Sequence, residues 1–287
     1  MNVLEAIADR VEQEPIPSRV AFDILRIIED ENHSLKEVIQ LTTNDAALTT
    51  EVLKLANTAT YRRGEPVSTV NRAILLLGEM MVVGVAICAS SSIVFNCPLN
   101  GYESADGEMW DHSLRTAVAA RVVSRFGKKR ISSGLAFTAG LLHDIGKTVI
   151  SEFLEGRTSE LVNACEEGTV ADYLEAERKA VGTDHAEVGY KLACKWSLPD
   201  SLSVAIRDHH VPARAEEEYK SLVYTVHLAD LIAMIGGAGT GVDSLAYSLD
   251  DHYEDWIQIT KDDFALLLMN VEDEFISIKN LFPKQGT

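Results

Sequence analysis

Apolar residues recur along this chain at intervals of three and four, the spacing of one helical face, and almost nowhere alternate as a half-buried strand would. Val20, Ile24, Ile27 and Ile28 form one such stripe, with Pro17 where the first turn of a helix tolerates proline. Ser34-Leu35-Lys36-Glu37 has the S-x-x-E form of a capping box and predicts a helix through Val38 and Leu41. Asn44 or Asp45 can cap the next helix, which places Leu48, Val52, Leu55 and Ala56 on one face. Ser68 or Thr69 can open another, through Ile74 and Leu77 toward Gly78. The run from Met80 to Phe95 is apolar on most sides. Gly84 and Ser90-Ser91-Ser92 interrupt it, read here as small residues for close helix packing, and it falls short of the ~20 residues a bilayer span needs. A central buried helix is predicted there.

Turn formers break the pattern between Asn96 and Gly107: Asn96, Pro98, Asn100, Gly101, Asp106 and Gly107. A boundary here divides the chain into residues 1–98, a first helical half, and residues 99–287, a second. Helical spacing resumes over Trp110–Phe126, Ser132–Phe153, Val170–Val181, Asp184–Trp196, Pro199–His209, Leu222–Ile235 and Asp262–Lys279. The glycine-rich stretch 236–241 reads as a flexible loop between helices. It lacks the G-K-[ST] ending and the preceding strand of a phosphate loop. The expected fold class is all-α.

Composition narrows the function classes. The chain has 287 residues, and 44 acidic against 26 basic side chains give a formal net charge of −18. Such a surface repels phosphate backbones and anionic membranes, so neither nucleic acid nor membrane is an expected partner. The densest basic run is only Lys128-Lys129-Arg130. Four cysteines without a C-x-x-C pair argue against a disulfide framework or a cysteine-rich zinc site. The start of the chain lacks the basic and apolar regions of a signal peptide, and a cytoplasmic protein is expected.

Chemistry enters with the histidines. Five positions follow one another in order with acidic neighbours: Asp111-His112, His143-Asp144 within H-D-I-G-K, Asp184-His185, Asp208-His209-His210, and then Asp230 on an apolar helix. Neutral imidazole suits borderline divalent metals, and a carboxylate supplies charge and can bridge two ions. In a helical bundle, inward-facing ligands from several helices can converge on one site. Lys147, four residues after His143 and on roughly the same helix face, can hold a phosphate oxygen or orient a polar substrate.

Each element also has a plainer reading. His227 fits a hydrogen-bonded core histidine, His33 and His252 fit solvated positions, and His209-His210 alone fits a helix end as well as a ligand pair. Arg62-Arg63-Gly64 fits an exposed turn better than an anion contact. Asn57 fits a bond to local backbone. The acidic residues after Asp250 fit a solvated surface. What favours a converging site is the joint order H…HD-x-G-K…H…HH…D.

At these residues the sequence resembles the HD superfamily of metal-dependent phosphohydrolases. The stretches from Ile16-Pro17 through Glu37-Val38, Asn44 to Leu48, Leu53 to Asn57, Pro66 to Val70, Ala73 to Gly78 and Ala139 to Gly146 resemble its HDOD group, the HD-related output domains of bacterial signalling proteins. The similarity extends over about residues 12–235. It implies an HD-like helical bundle with an additional N-terminal helical half. It also implies a first divalent ion on His112, His143, Asp144 and Asp230, with Asp144 bridging to a second on His185 and one or both of His209 and His210. Glu108 is a weaker carboxylate candidate. The ion would be Fe, Mn, Ni or Zn, and Lys147 and Asp144 would be the catalytic pair of any hydrolysis. HDOD proteins as a group have eroded ligands and no established activity, whereas this chain keeps a near-complete set. After its His-His pair it lacks the glutamate and the G-Y-P of cyclic di-GMP phosphodiesterases. The expected role is signal transduction through contacts with other bacterial signalling proteins. A metal-dependent phosphohydrolase acting on a nucleotide or other phosphoester is the alternative.

Overall fold

A computed structural model describes residues 2–30, 32–90, 95, 98–237, 239–243 and 247–282. Among these residues there is no β-ladder, only isolated bridges between Leu99 and Ser104 and between Gly127 and Ile257. The chain opens with α1 (Val3–Gln13), α2 (Arg19–Ile28), α3 (Leu35–Asn44), α4 (Ala46–Ala56), α5 (Val70–Leu77) and α6 (Glu79–Ala89). Asp45 caps α4 and Thr69 caps α5, each accepting a backbone N–H with its side chain. Ser34 caps α3 through the Lys36 N–H, without the reciprocal glutamate of a full capping box. Pro17 stands before the Ser18 cap of α2 and not inside the helix. Asn57 clamps the chain after α4: its side-chain amide donates to Leu53 and Val67 carbonyls and accepts the Val67 N–H.

Gly78, at φ 85°, ends α5 and starts α6, and the two helices meet at a bend of 107°. That backbone conformation is cheap only for glycine. α6 is the predicted central helix: Met81 to Cys88 are all buried, and it packs against α2, α4 and the helix Ser133–Leu142. Its predicted continuation through Ser91 and Ser92 lies outside the described residues. No single described helix is long and apolar enough to cross a membrane.

The chain continues through α7 (Glu108–Val123), α8 (Ser133–Leu142), α9 (Lys147–Leu154), α10 (Thr158–Glu166), α11 (Tyr173–Val181), α12 (His185–Lys195), α13 (Asp200–Asp208), α14 (Lys220–Ile235), α15 (Tyr253–Trp256) and α16 (Lys261–Lys279). α7 packs against α8, α14 and α16. The expected single helix from Ser132 to Phe153 is two helices. α8 ends at Leu142, and α9 begins at Lys147 after an intervening turn. Gly146 allows this turn to press against α12, since a Cβ there would lie 1.9 Å from the His185 carbonyl oxygen.

The acidic C-terminal stretch is not merely a solvated surface. From α16, Glu272 and Glu274 pair with Arg115 and Arg121 of α7, and Lys279 donates to Asp111 at 2.6 Å. Glu274 is itself buried.

Candidate metal centre

The break between α8 and α9 puts His143 and Asp144 at the end of one helix and Lys147 at the start of the next. His143 sits at the C-cap of α8 and its Nδ1–H donates to the Gly140 carbonyl at 2.8 Å. A carbonyl can only accept, so the proton is on Nδ1 and the Nε2 lone pair faces away from the helix. His209 repeats the device at the C-cap of α13, with Nδ1–H donating to the Ile206 carbonyl at 2.8 Å. Helix end and inward-facing ligand atom are thus one feature of His209, not alternatives.

His185 opens α12 behind an Asp184 cap. Buried Glu177 of α11 accepts both its backbone N–H at 2.8 Å and its Nδ1–H at 2.9 Å. Tyr102 in turn donates its hydroxyl to Glu177 at 2.5 Å. Carboxylate backing of this kind fixes a ring's tautomer and orientation.

The Nε2 atoms converge. His112 Nε2 is 3.2 Å from His143 Nε2, and His185 Nε2 is 3.0 Å from His210 Nε2. Asp144 lies between the two pairs. Its Oδ2 is 3.4 and 3.5 Å from His112 and His143 Nε2, and its Oδ1 is 3.3 and 3.5 Å from His185 and His209 Nε2. Asp230 on α14 adds Oδ1 at 3.2 Å from His112 and 3.5 Å from His143. Three overlapping groups have ligand atoms within 4.8 Å of one another: Asp144 with His185, His209 and His210; His112 with His143 and Asp144; and His143 with His209 and Asp230. Two buried atoms of the cluster, Asp144 Oδ1 and His209 Nε2, have no hydrogen-bond partner.

Charge explains the rest. Burial pushes the imidazoles of His112 and His185 down, but the surrounding carboxylates outweigh it and hold each at about 10. Protons therefore occupy these two rings when no metal does. Burial, with neighbouring imidazoles, holds His209 and His210 below the ordinary histidine range, so both are neutral. Burial opposes ionisation of Asp144 and Asp230 as well, yet the cationic and hydrogen-bonding neighbours keep both well below the carboxylate range. Neutral imidazoles and ionised carboxylates, with orphaned atoms facing a common centre, form a donor set that fits one or two borderline divalent ions.

Lys147 is only 2% exposed, and its ammonium is fully engaged. It meets Asp144 Oδ2 at 2.7 Å, Asp243 Oδ2 at 2.6 Å and Thr240 Oγ1 at 2.7 Å. It reaches Asp144 across the helix break, not along the continuous helix face expected from the spacing. Tyr247 donates to Asp243 at 3.0 Å and stacks on His210 with ring centroids 3.8 Å apart. Thr240, Asp243, Tyr247 and Glu177 were not singled out in the sequence. A carboxylate in a glycine-rich loop, or in a highly charged helix, carries no local mark of burial.

The remaining candidates fall elsewhere. Glu108 accepts from the Ala105 N–H and the Ser104 hydroxyl near the start of α7. His227 is a core histidine, donating from Nδ1 to the His209 carbonyl and accepting the Asp250 N–H at Nε2. His33 is half-buried against Glu79 and not free in solvent. His252 is exposed beside Asp255. Cys88, Cys165 and Cys194 are free thiols.

Fold and site together define an all-helical HD-like protein with a buried histidine–aspartate centre. Residues 15–212 match the HDOD domain, and the chain belongs to the HDOD family. It is similar to the crystal structure of an HDOD domain protein of unknown function from Geobacter sulfurreducens, with 21% identity, a TM-score of 0.68 and coverage of 97% of this chain and 99% of that one. A Shewanella amazonensis SB2B protein provisionally named a phosphohydrolase gives 21% identity, a TM-score of 0.68 and coverage of 97% and 98%. In sequence, an uncharacterized protein of Treponema pallidum (strain Nichols) is 27% identical over 246 residues, 85% of this chain. The chain spans about half, 47%, of that curated relative's length.

Proposed function

We propose that this chain is an HDOD signal-transduction module that works through contacts with other bacterial signalling proteins and carries a divalent metal centre as part of its folded core. One ion would sit on His112, His143, Asp144 and Asp230. A second would sit on Asp144, His185, His209 and His210. The observation that carries the reading is the convergence of buried imidazole Nε2 atoms on Asp144 with Asp144 Oδ1 and His209 Nε2 left without a hydrogen-bond partner, polar atoms that are costly to bury unless an ion engages them. A bound divalent ion would offset the carboxylate charge and acidify a water bound to it.

What the surrounding side chains do favours a closed centre. Lys147 has no donor left for a phosphate oxygen, because Asp144, Asp243 and Thr240 take all three. Tyr247 covers one face of His210. A metal-dependent phosphohydrolase acting on a nucleotide or other phosphoester is the second reading, favoured by the complete ligand order. It assigns catalysis to Lys147 and Asp144, and it requires the segment carrying Asp243 and Tyr247 to move aside.

Two measurements on one preparation separate the readings. Protein purified without chelator or histidine tag is analysed for metal, beside His143→Ala and Asp144→Ala variants. About one or two Fe, Mn, Ni or Zn ions per chain are expected, lost in the variants. Protein that stays metal-free after all four are supplied overturns the metal centre. The loaded protein is then assayed on bis(p-nitrophenyl) phosphate and on nucleoside phosphates. Turnover abolished by Asp144→Ala in a still-folded variant would replace signalling with hydrolysis.

A further inference from the structure

Away from the histidine centre, the chain gathers positive charge in one concavity. A cavity of about 790 Å³ opens between the turn after α4, the end of α5 and the connection from α7 to α8. Arg63, Arg121, Arg125, Lys128 and Arg130 line it with Tyr61, and no acidic side chain is among its lining residues. On a chain of net charge −18, five cations around one cavity run against the composition.

Their pairing is equally unusual. Among the described residues, Arg63, Arg125, Lys128 and Arg130 form no ion pair, although 44 acidic residues are available in the chain. Arg121, the one buried member at 3% exposure, pairs with Glu274 on α16 and lies over the Tyr61 ring with its guanidinium carbon 5.3 Å from the centroid. Its Nε is buried and has no hydrogen-bond partner. Crowding like charges at the wall of a protein cavity costs free energy that a bound anion recovers, and a guanidinium in such a wall is matched to phosphate oxygens. Burial and the nearby Arg125 charge already disfavour the charged state of Arg121. Leu76, Leu77 and Ile131 supply an apolar wall, and Thr60, Ser124, Ser132 and Ser133 add hydroxyl-bearing side chains to the lining.

We propose that this cavity binds the polyphosphate group of a small molecule, independently of the metal centre. Its volume falls within the ~300–1,000 Å³ of small-ligand sites, and its concavity and the overall negative charge disfavour a long nucleic-acid strand. The shared chemistry is a run of linked phosphates. A nucleoside polyphosphate would also use the apolar wall, whereas inorganic polyphosphate would not.

The test is calorimetric titration of the full chain in EDTA, so that no metal can bridge the ligand to the histidines. GTP, ATP, inorganic tripolyphosphate, inorganic phosphate and a single-stranded 20-mer are the probes. Expected is salt-sensitive binding of at least one triphosphate, weakened about tenfold or more in Arg63→Ala/Arg125→Ala, a pair of exposed positions whose loss leaves the fold intact. His143→Ala should bind as the parent does. Preference for GTP or ATP over tripolyphosphate assigns a nucleotide; equal binding assigns the phosphate chain alone. No binding of any triphosphate, binding indifferent to the double variant, or tighter binding of the 20-mer overturns the proposal.

Discussion

Helix α6 buries Met81 through Cys88 without a charged or hydroxyl-bearing side chain. Equally enclosed, α7 buries His112, Ser113, Arg115, Thr116 and Arg121 among its alanines and valines. From Met81 to Cys88 the first helix offers its neighbours only apolar side chains, and others of similar volume would hold it as well. The second is held on condition that its buried charged groups meet their partners. His112 meets Asp144 and Asp230, Arg115 meets Glu272 while lying over the Phe275 ring, and Arg121 meets Glu274. Residues up to 157 positions away in sequence thus have to arrive before α7 is worth burying. Nothing in apolar packing asks for that arrangement, so the places where it occurs are where function is to be sought.

The sharpest break in this contrast is Asp144→Ala. It strips a buried carboxylate from Lys147, His112 and His185 at once, and a loss of about 4 kcal/mol in denaturant unfolding is expected together with loss of metal. Ile87→Ala on α6 should cost about 3 kcal/mol through the cavity it leaves, yet the folded fraction should take up metal as before. If Ile87→Ala also emptied the centre, the two helices would not be separable in the way described.

A pH series sharpens the comparison further. The folded pKa values of His112 and His185 are raised to about 10 from an ordinary 6.5. Their contribution to the metal-free protein is therefore fully present below about pH 6.5 and disappears as pH rises through about 10. The metal-free melting temperature should fall by several degrees over that window. Metal-loaded protein should lack the fall, because ions replace the two protons, and metal uptake near pH 8 should release protons. The smallest change is Tyr247→Phe, which removes only the hydroxyl donated to Asp243 and should cost about 1 kcal/mol with metal content unchanged.

Residue type and period reveal much of this molecule. The stripes at Val20–Ile28 and Leu48–Ala56, the caps at Asp45 and Thr69 and the ordered histidines are local signals, and a buried histidine or aspartate is expensive enough to stand out. The break after Leu142 is different. Ile145, Val149 and Ile150 continue the helical spacing straight through it, and Gly146 is its only local trace. Asp243, Glu177 and Glu274 are hidden for the opposite reason: acidic residues in polar stretches look solvated until their partner is known, and Lys147, His185 and Arg121 come from elsewhere in the chain. Arg63 and Lys128 likewise read as two unrelated exposed basic stretches, brought to one cavity by tertiary packing alone.

The family match ends at residue 212, but the carboxylates that make the core affordable do not. Asp230 and Asp243 complete the centre, and Glu272 and Glu274 brace α7, all from beyond that point. Transplanting this domain into a chimera at the matched boundary would carry over His112, His143, Asp144, Lys147, His185, His209 and His210. It would leave Lys147, Arg115 and Arg121 facing the interior without those acids. A chimera that is meant to keep this core therefore has to carry the segment through Phe282 as one piece.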